Sequence, residues 1–186
     1  SCAQVWLNGK YVGYSQVSHS TSEFDVTDKL LDGNNTVKVL VFKWCDGSYL
    51  EDQDKFRLSG IFREVYLLAR DKVHIVDLFT RTYLTSDFRS GTMDVDVTVN
   101  GSADVSYRLL RACGLEIESG TVHIDGTGKF DFLIDRPELW SDETPTLYSL
   151  LITCGEEHIC LFIGFREVKI ENKVVYINGK KVKAKG

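Results

Sequence analysis

The sequence predicts an all-β fold, and three observations support that prediction. Apolar and polar residues alternate from Met93 to Val99, as they do in a strand with one buried face. Asn-Gly pairs stand between strand-like segments at positions 8–9 and 178–179, and this pair is the strongest short-range signal of a two-residue hairpin. Further strand-like segments follow at short spacing with turn residues between them, which is typical of a β-sandwich.

The predicted elements fall into three consecutive regions. Residues 1 to about 70 indicate a β unit that opens with the first hairpin and includes the buried strand "TVKVLVF". In this unit Asp25 and Thr27 predict a short helical turn around residues 28–31, and residues 61–68 predict a further strand. Residues from about 71 to 168 have the size and spacing of one immunoglobulin-like β-sandwich. Residues 169–186 contain the second hairpin and are expected to be the beginning of a third structural region.

The alternation also predicts which side chains form the sandwich core, because a slip of one residue would turn each strand's apolar set outward. The expected members of the sandwich core are Met93, Val95, Val97, Tyr107, Leu109, Phe130, Phe132, Leu150, Ile152, Leu161 and Ile163.

The first unit should expose an apolar face and open sheet edges, to which Trp6, Leu7, Leu40 and Phe42 contribute.

Composition excludes several classes of function. Acidic residues outnumber basic ones by 27 to 22, for a net charge of −5, which argues against a nucleic-acid partner. No apolar run approaches the roughly 20 residues of a membrane span, so we expect no membrane partner. The five cysteines are an odd number without a CxxC pair. They indicate small, buried or half-buried side chains in a reducing compartment and therefore favour a cytoplasmic location.

Two groups of carboxylates are candidates for chemistry. Glu116 and Glu118 lie on one face of a predicted strand, and paired carboxylates hydrolyse glycosides, but such neighbours are far more often a solvated face. The segment "SYLEDQDKFRLSGIFREV" (48–65) packs three acids and an amide between two aromatic residues. A calcium loop fits poorly, because the EF-hand pattern fails at its third ligand and its glycine. A sugar site and a solvated turn both remain open on the residues alone.

Four segments resemble, in order, landmarks of the β-galactosidases of glycoside hydrolase family 2. They are "VWLNGKYVGYSQVSHSTSEFDVTDKL", "WCDGSYLEDQDKFRLSGIFREVYLL", "RPELWSDETPTLYSL" and "GFREVKIENKVVYINGKKVKAKG". The resemblance implies that residues 1–70 are the C-terminal half of a jelly-roll sugar-binding domain. It implies that residues 71–168 are the immunoglobulin-like sandwich, and that residues 169–186 start a truncated TIM-barrel domain.

For the site, the resemblance implies that Asp54 contacts galactose hydroxyls and helps to bind a sodium ion. Phe56 stands where the family usually has tryptophan or a similar aromatic residue, which is a mild departure. Asp46, Glu51 and Asp52 are expected to shape the loop through Asx-type bonds to backbone N–H groups.

The catalytic glutamates and the magnesium ligands of the family have no counterpart in this chain. We therefore expect an inactive fragment of a retaining β-galactosidase, whose parent takes sodium and magnesium, binds a β-galactoside and forms a homo-oligomer. The fragment itself is expected to self-associate. The alternatives are a non-enzymatic carbohydrate-binding or adhesion module, and a fragment of a sister β-glucuronidase or β-mannosidase.

Overall fold

The computed structural model describes residues 1–17, 20–50 and 59–183. It forms two compact units, Ser1–Leu67 and Leu68–Gly186, which are described separately below. Regular structure in the described residues consists of eleven strands and two short 3₁₀ turns, so the predicted all-β fold class is confirmed. Within the same ranges the structure contains no helix long and apolar enough to cross a membrane.

The first unit is built on a three-stranded antiparallel sheet. Strands β1 (Cys2–Leu7), β2 (Lys10–Ser15) and β3 (Val37–Phe42) lie in the order β2-β1-β3. Asn8 and Gly9 have φ angles of 51° and 76°, as a two-residue type I′ turn requires, so the first predicted hairpin is confirmed. The predicted helical turn is a 3₁₀ turn over Thr27–Lys29.

The two faces of this sheet differ from the prediction. Trp6 pairs with Lys38, and its neighbour Leu7 pairs with Val37, so the side chains of Trp6 and Leu7 point to opposite faces. Leu7 is buried, whereas Leu40 and Phe42 are exposed. Leu7 therefore does not belong to the open apolar face, and its assignment to that face was wrong.

Residues 61–68 do not form the expected strand, and the structure has no strand between residue 59 and Ile75. Ile61, Val65, Tyr66 and Leu67 have the apolar composition of a strand but are exposed. Composition alone was misleading here, because a strand also needs a neighbour to take up its backbone N–H and C=O groups.

The second unit is a five-stranded antiparallel sheet that curls around its own core. It contains β4 (Ile75–Leu84), β5 (Ser90–Leu110), β6 (Glu116–Asp135), β7 (Tyr148–Cys154) and β8 (Glu157–Ile163). β4 pairs with the first half of β5 and β7 pairs with its second half, while β6 runs along the other edge of β5 over nearly its full length. β8 continues the sheet beyond β7.

The two long strands replace pairs of shorter strands that the sequence predicted. "TMDVDVTVN" and "VSYRLLRAC" are both parts of β5, and "EIESGTVHI" and "KFDFLID" are both parts of β6. The pairing of β5 with β6 shifts register between Thr98 and Ser102, which marks a bulge, and Gly126 opposite it has a φ of 71°. Bending at this point lets both halves of each strand face one core.

That core contains all eleven predicted side chains. Eight of them are buried, and Tyr107, Phe130 and Leu161 are partly buried against the others. The structure adds eight buried side chains that the sequence analysis did not include: Ile75, Val99, Val105, Ile124, Ile134, Tyr148, Cys154 and Phe165.

A small three-stranded sheet completes the second unit. It consists of β9 (Val168–Glu171), β10 (Val174–Ile177) and β11 (Lys180–Lys181). Asn178 and Gly179 have φ angles of 49° and 72°, so the second predicted hairpin is confirmed. The β9–β10 turn uses the same positive φ region at Asn172 and Lys173 without a glycine.

All five cysteines are free thiols. Cys2 and Cys154 are buried and Cys45 is half-buried, as expected of small apolar side chains. Burial raises the pKa of the Cys154 thiol above its ordinary value. Cys113 and Cys160 are exposed, so the expectation of burial was wrong for these two.

Candidate functional site

The acidic segment leaves the first sheet through a tight, hydrogen-bonded turn. β3 ends at Phe42, and a 3₁₀ turn follows over Asp46–Tyr49 with Cys45 as its N-cap. The Cys45 backbone N–H donates to Ser48 Oγ at 3.1 Å, and the Ser48 N–H donates to the Cys45 carbonyl at 3.0 Å. Ser48 is buried although it is polar, because its hydroxyl closes this turn.

The hydrogen bonds that close this turn do not come from Asp46, the residue that the sequence analysis chose. Asp46 was expected to shape the loop through its carboxylate, but Cys45 and Ser48 supply the bonds that the structure shows. The signal was present in the sequence as a serine three positions after the cap, which is the spacing of a capping box. Glu51 and Asp52, which were expected to help, lie outside the described residues.

Thiols and a phenol surround the base of the turn. Cys45 Sγ lies 3.6 Å from Ser48 Oγ, and this contact lowers the pKa of the Cys45 thiol. A hydrogen bond with Cys2, together with burial, raises the pKa of Tyr14 to about 12. Tyr14 therefore stays a neutral hydroxyl at physiological pH, and it also donates to Gln16 Oε1 at 3.1 Å.

The last residue of this turn and the residue after it are exposed. Tyr49 and Leu50 are each 80% exposed. Asp54, the residue expected to bind substrate and sodium, belongs to residues 51–58, which lie outside the described ranges. Its assignment to substrate and metal therefore stays a prediction.

The described residues include no cluster of three or more His, Cys, Asp or Glu side chains that could hold a metal ion. The metal role that the resemblance implies for Asp54 stays a prediction.

Glu116 and Glu118 have separate structural partners. Glu116 Oε2 accepts from Arg108 Nε at 2.8 Å, and its Oε1 accepts from the Ser119 hydroxyl at 2.7 Å. The Ser119 bond and the Arg108 guanidinium lower the pKa of Glu116, so this carboxyl is a poor proton donor. Glu118 accepts from the Tyr107 hydroxyl at 3.5 Å. The pairing of β5 with β6 shifts register between Glu116 and Glu118, which marks a bulge, so the two carboxylates lie on opposite faces of β6. Both are exposed, but the expectation that they share one face was wrong.

One arrangement around Trp140 escaped the sequence analysis. The Trp140 backbone N–H donates to the Phe165 carbonyl at 2.9 Å, and the Arg166 guanidinium lies 4.6 Å from the centre of the indole ring. A Cβ atom at Gly164 would lie 2.9 Å from Trp140 Cβ, so this close approach requires glycine. The segments "RPELWSDE" and "GFREV" are therefore locked together in the second unit.

Comparison with known proteins agrees with the segments quoted above. Residues 1–71 match the model described as "Glycosyl hydrolases family 2, sugar binding domain", and residues 73–166 match "Glycosyl hydrolases family 2". A β-galactosidase of Staphylococcus xylosus is 41% identical over 187 aligned residues, which cover all of this chain and 18% of that protein. The chain thus spans about a fifth of the length of this curated relative.

Solved structures share the fold. Apo β-glucuronidase 3 of Bacteroides uniformis superimposes with a TM-score of 0.84 at 17% identity, over 97% of this chain and 26% of that one. A calcium binding mutant of Bacteroides uniformis β-glucuronidase 2 superimposes with a TM-score of 0.81 at 22% identity, over 96% of this chain and 25% of that one. At these identities the likeness establishes the fold alone. Since a family model covers half of the sequence, the chain belongs to family 2 of the glycosyl hydrolases.

Proposed function

We propose that this chain is the loop-bearing, non-catalytic part of a retaining β-galactosidase that removes terminal β-D-galactosyl residues. The identity of 41% to a β-galactosidase over the whole chain supports this substrate class. The two β-glucuronidases described above are 17% and 22% identical, so they support the sister activity less well.

In this proposal the first unit brings Asp54 to the sugar. The 3₁₀ turn at Asp46–Tyr49, which precedes the acidic segment in the chain, is fixed by the Cys45–Ser48 bonds. A carboxylate there accepts hydrogen bonds from galactose hydroxyls and offsets the charge of a sodium ion. Magnesium would be held by other parts of the longer protein.

The chain itself is proposed to be inactive. A retaining mechanism needs two carboxyl groups about 5–5.5 Å apart, one as nucleophile and one as acid and base. In the described residues the pair considered, Glu116 and Glu118, lies on opposite faces of β6 and is bonded to Arg108, Ser119 and Tyr107. A β-galactoside is the expected partner of the longer protein, which we propose to be a homo-oligomer. The five free thiols support a cytoplasmic location for it.

Two assays test the proposal. The longer protein is given a nitrophenyl β-galactoside and a nitrophenyl β-glucuronide, and we expect turnover of the galactoside. Preference for the glucuronide would show that the longer protein is a β-glucuronidase and would overturn the proposed substrate class. The isolated chain, purified from a host without its own galactosidase, should leave both compounds intact. Turnover by the isolated chain that disappears in Glu116→Ala would contradict the proposal that this chain is inactive.

A further inference from the structure

Three polar side chains on the curled sheet form a hydrogen-bonded relay. Ser102 and Asp104 are two residues apart on β5 and therefore lie on the same face, and His123 on β6 is the pairing partner of Asp104. Ser102 Oγ lies 3.1 Å from His123 Nε2. His123 Nδ1 lies 2.7 Å from Asp104 Oδ1.

The proton positions in this relay follow from the chemistry of its ends. An ionised carboxylate only accepts hydrogen bonds, so the proton of the neutral imidazole must sit on Nδ1, next to Asp104. His123 Nε2 then carries the free lone pair, and the Ser102 hydroxyl donates to it. This is the order of atoms in a Ser-His-Asp triad, in which the base is held in the correct tautomer by the acid.

We propose that Ser102 is an activated nucleophile that accepts acyl or phosphonyl groups from small activated electrophiles. His123 is its general base and Asp104 is the positioning residue that fixes the imidazole. This activity is separate from the proposed galactoside hydrolysis and needs only the second unit.

The acylation step balances without a cofactor. Ser102 Oγ attacks the carbonyl carbon of an aryl ester while its proton passes to His123 Nε2. The bond between the carbonyl carbon and the aryl oxygen then breaks. The aryl oxygen leaves with that proton, and the serine ester remains on the protein.

The openness of the site sets the class of substrate. The side chains of His123 and Asp104 are 67% and 72% exposed, and Ser102 is also exposed. Water is not excluded, so the electrophile must bring its own good leaving group. The rate should rise in proportion to ester concentration without saturation, because an exposed face provides little binding energy.

A second serine in the same strand is an internal control. Ser106 lies four residues after Ser102 and therefore on the same face of β5, but its Oγ is bonded to the Thr121 hydroxyl at 2.9 Å. It has an alcohol as its neighbour where Ser102 has an imidazole. Since general-base catalysis contributes roughly 10²–10⁴-fold in enclosed enzyme sites, an open site should retain at least about tenfold.

The experiment treats the folded chain with a fluorophosphonate probe and, separately, with nitrophenyl acetate, and maps the modified residues by mass spectrometry. Free imidazoles also react with nitrophenyl acetate, so the modified position is the readout instead of the released nitrophenol. We expect Ser102 to be labelled at least about tenfold faster than Ser106. Equal labelling of the two serines would overturn the proposal.

Variants separate activation from mere exposure. His123→Gln should reduce labelling of Ser102 to the level of Ser106. Asp104→Asn should also reduce it, because the asparagine amide can donate to Nδ1 and move the ring proton to Nε2. Circular dichroism confirms that each variant is folded, and labelling of Ser106 should stay constant. Unchanged labelling of Ser102 in His123→Gln would also overturn the proposal.

Discussion

Asn178 reaches across 38 residues of sequence to Trp140, and its Nδ2 donates to the Trp140 carbonyl at 2.9 Å. The same side chain accepts from the Glu167 N–H through Oδ1, also at 2.9 Å. One amide thus holds the β10–β11 turn against two segments that carry the family resemblance. Its backbone φ of 49° is also one that asparagine tolerates better than most residues.

We expect Asn178→Gly to destabilise the second unit by about 1–3 kcal/mol, because it keeps the turn conformation but leaves partly buried backbone groups without partners. Urea unfolding followed by tryptophan fluorescence measures the change. Asn172→Gly is the matched control, since Asn172 is an exposed turn residue with a φ of 48°, and it should change stability by less than about 0.5 kcal/mol. Equal effects of the two substitutions would show that the side-chain bonds are unimportant.

The environment of Glu157 leads us to expect that the second unit loses stability in acid. Burial opposes its charge, but the Ile75 N–H at 3.0 Å and Arg70 Nε at 2.9 Å outweigh that cost, and the pKa of Glu157 lies below its ordinary value of 4.5. A carboxyl with a lowered pKa stabilises the fold above its unfolded pKa, and this contribution disappears as the pH falls through the folded pKa.

Unfolding free energy should therefore fall more steeply below about pH 4.5 in the parent chain than in Glu157→Gln. The variant is expected to be less stable at neutral pH, because the Ile75 N–H and Arg70 lose a charged acceptor. Glu156→Gln is the control, since Glu156 is next to Glu157 in the chain and its side chain is exposed. The pH profile of this variant should follow that of the parent chain. Parallel profiles for Glu157→Gln and the parent chain would refute the linkage.

Asp54→Ala in the longer protein should reduce kcat/KM for a β-galactoside by about 5- to 150-fold, the equivalent of about 1–3 kcal/mol for an orphaned polar group. The dependence of the rate on sodium should change as well. Asp46→Ala is the control, because the turn that carries Asp46 is held by Cys45 and Ser48. Unchanged kinetics in Asp54→Ala would favour the alternative interpretation, in which the acidic segment is a solvated turn without a role in binding.

Local patterns made much of this fold predictable. The alternation from Met93 to Val99 identified its buried side chains because one-sided burial imposes a period of two residues. Asn8-Gly9 and Asn178-Gly179 identified hairpins because the turn itself demands positive φ. Asn100-Gly101 is the same pair of residues, but it stands inside the continuous strand β5.

The reason for that exception is tertiary. Asn100 Nδ2 donates to the Lys72 carbonyl at 2.8 Å, and its Oδ1 accepts from the His74 N–H at 2.9 Å, so the amide bonds the entry to β4 at a bulge. The Ser102–His123–Asp104 relay was equally invisible, because its members come from two strands and meet only through their register. Asp54 was identified through the family resemblance, since carboxylates and aromatic residues alone also fit a solvated turn.

The apolar surface of the first unit leads to the last prediction, which is self-association of the isolated chain. Leu40 and Phe42 are exposed on β3, an edge strand of the sheet within the described residues. Ile61, Val65 and Tyr66 are exposed nearby in sequence. Open strand edges template pairing with a second chain, and apolar patches favour association.

Light scattering should therefore report a dimer or larger species for the isolated chain, and a monomer for a shorter chain that begins near Lys72. Phe42→Lys should weaken the association, because it places a charge in the contact. Leu133→Lys is the control, since Leu133 is 71% exposed on β6 of the second unit and should not affect assembly. A monomeric chain whose residues 1–67 are as protected from hydrogen exchange as the curled sheet would contradict the prediction, because a contact through the first unit would then be unnecessary for its order.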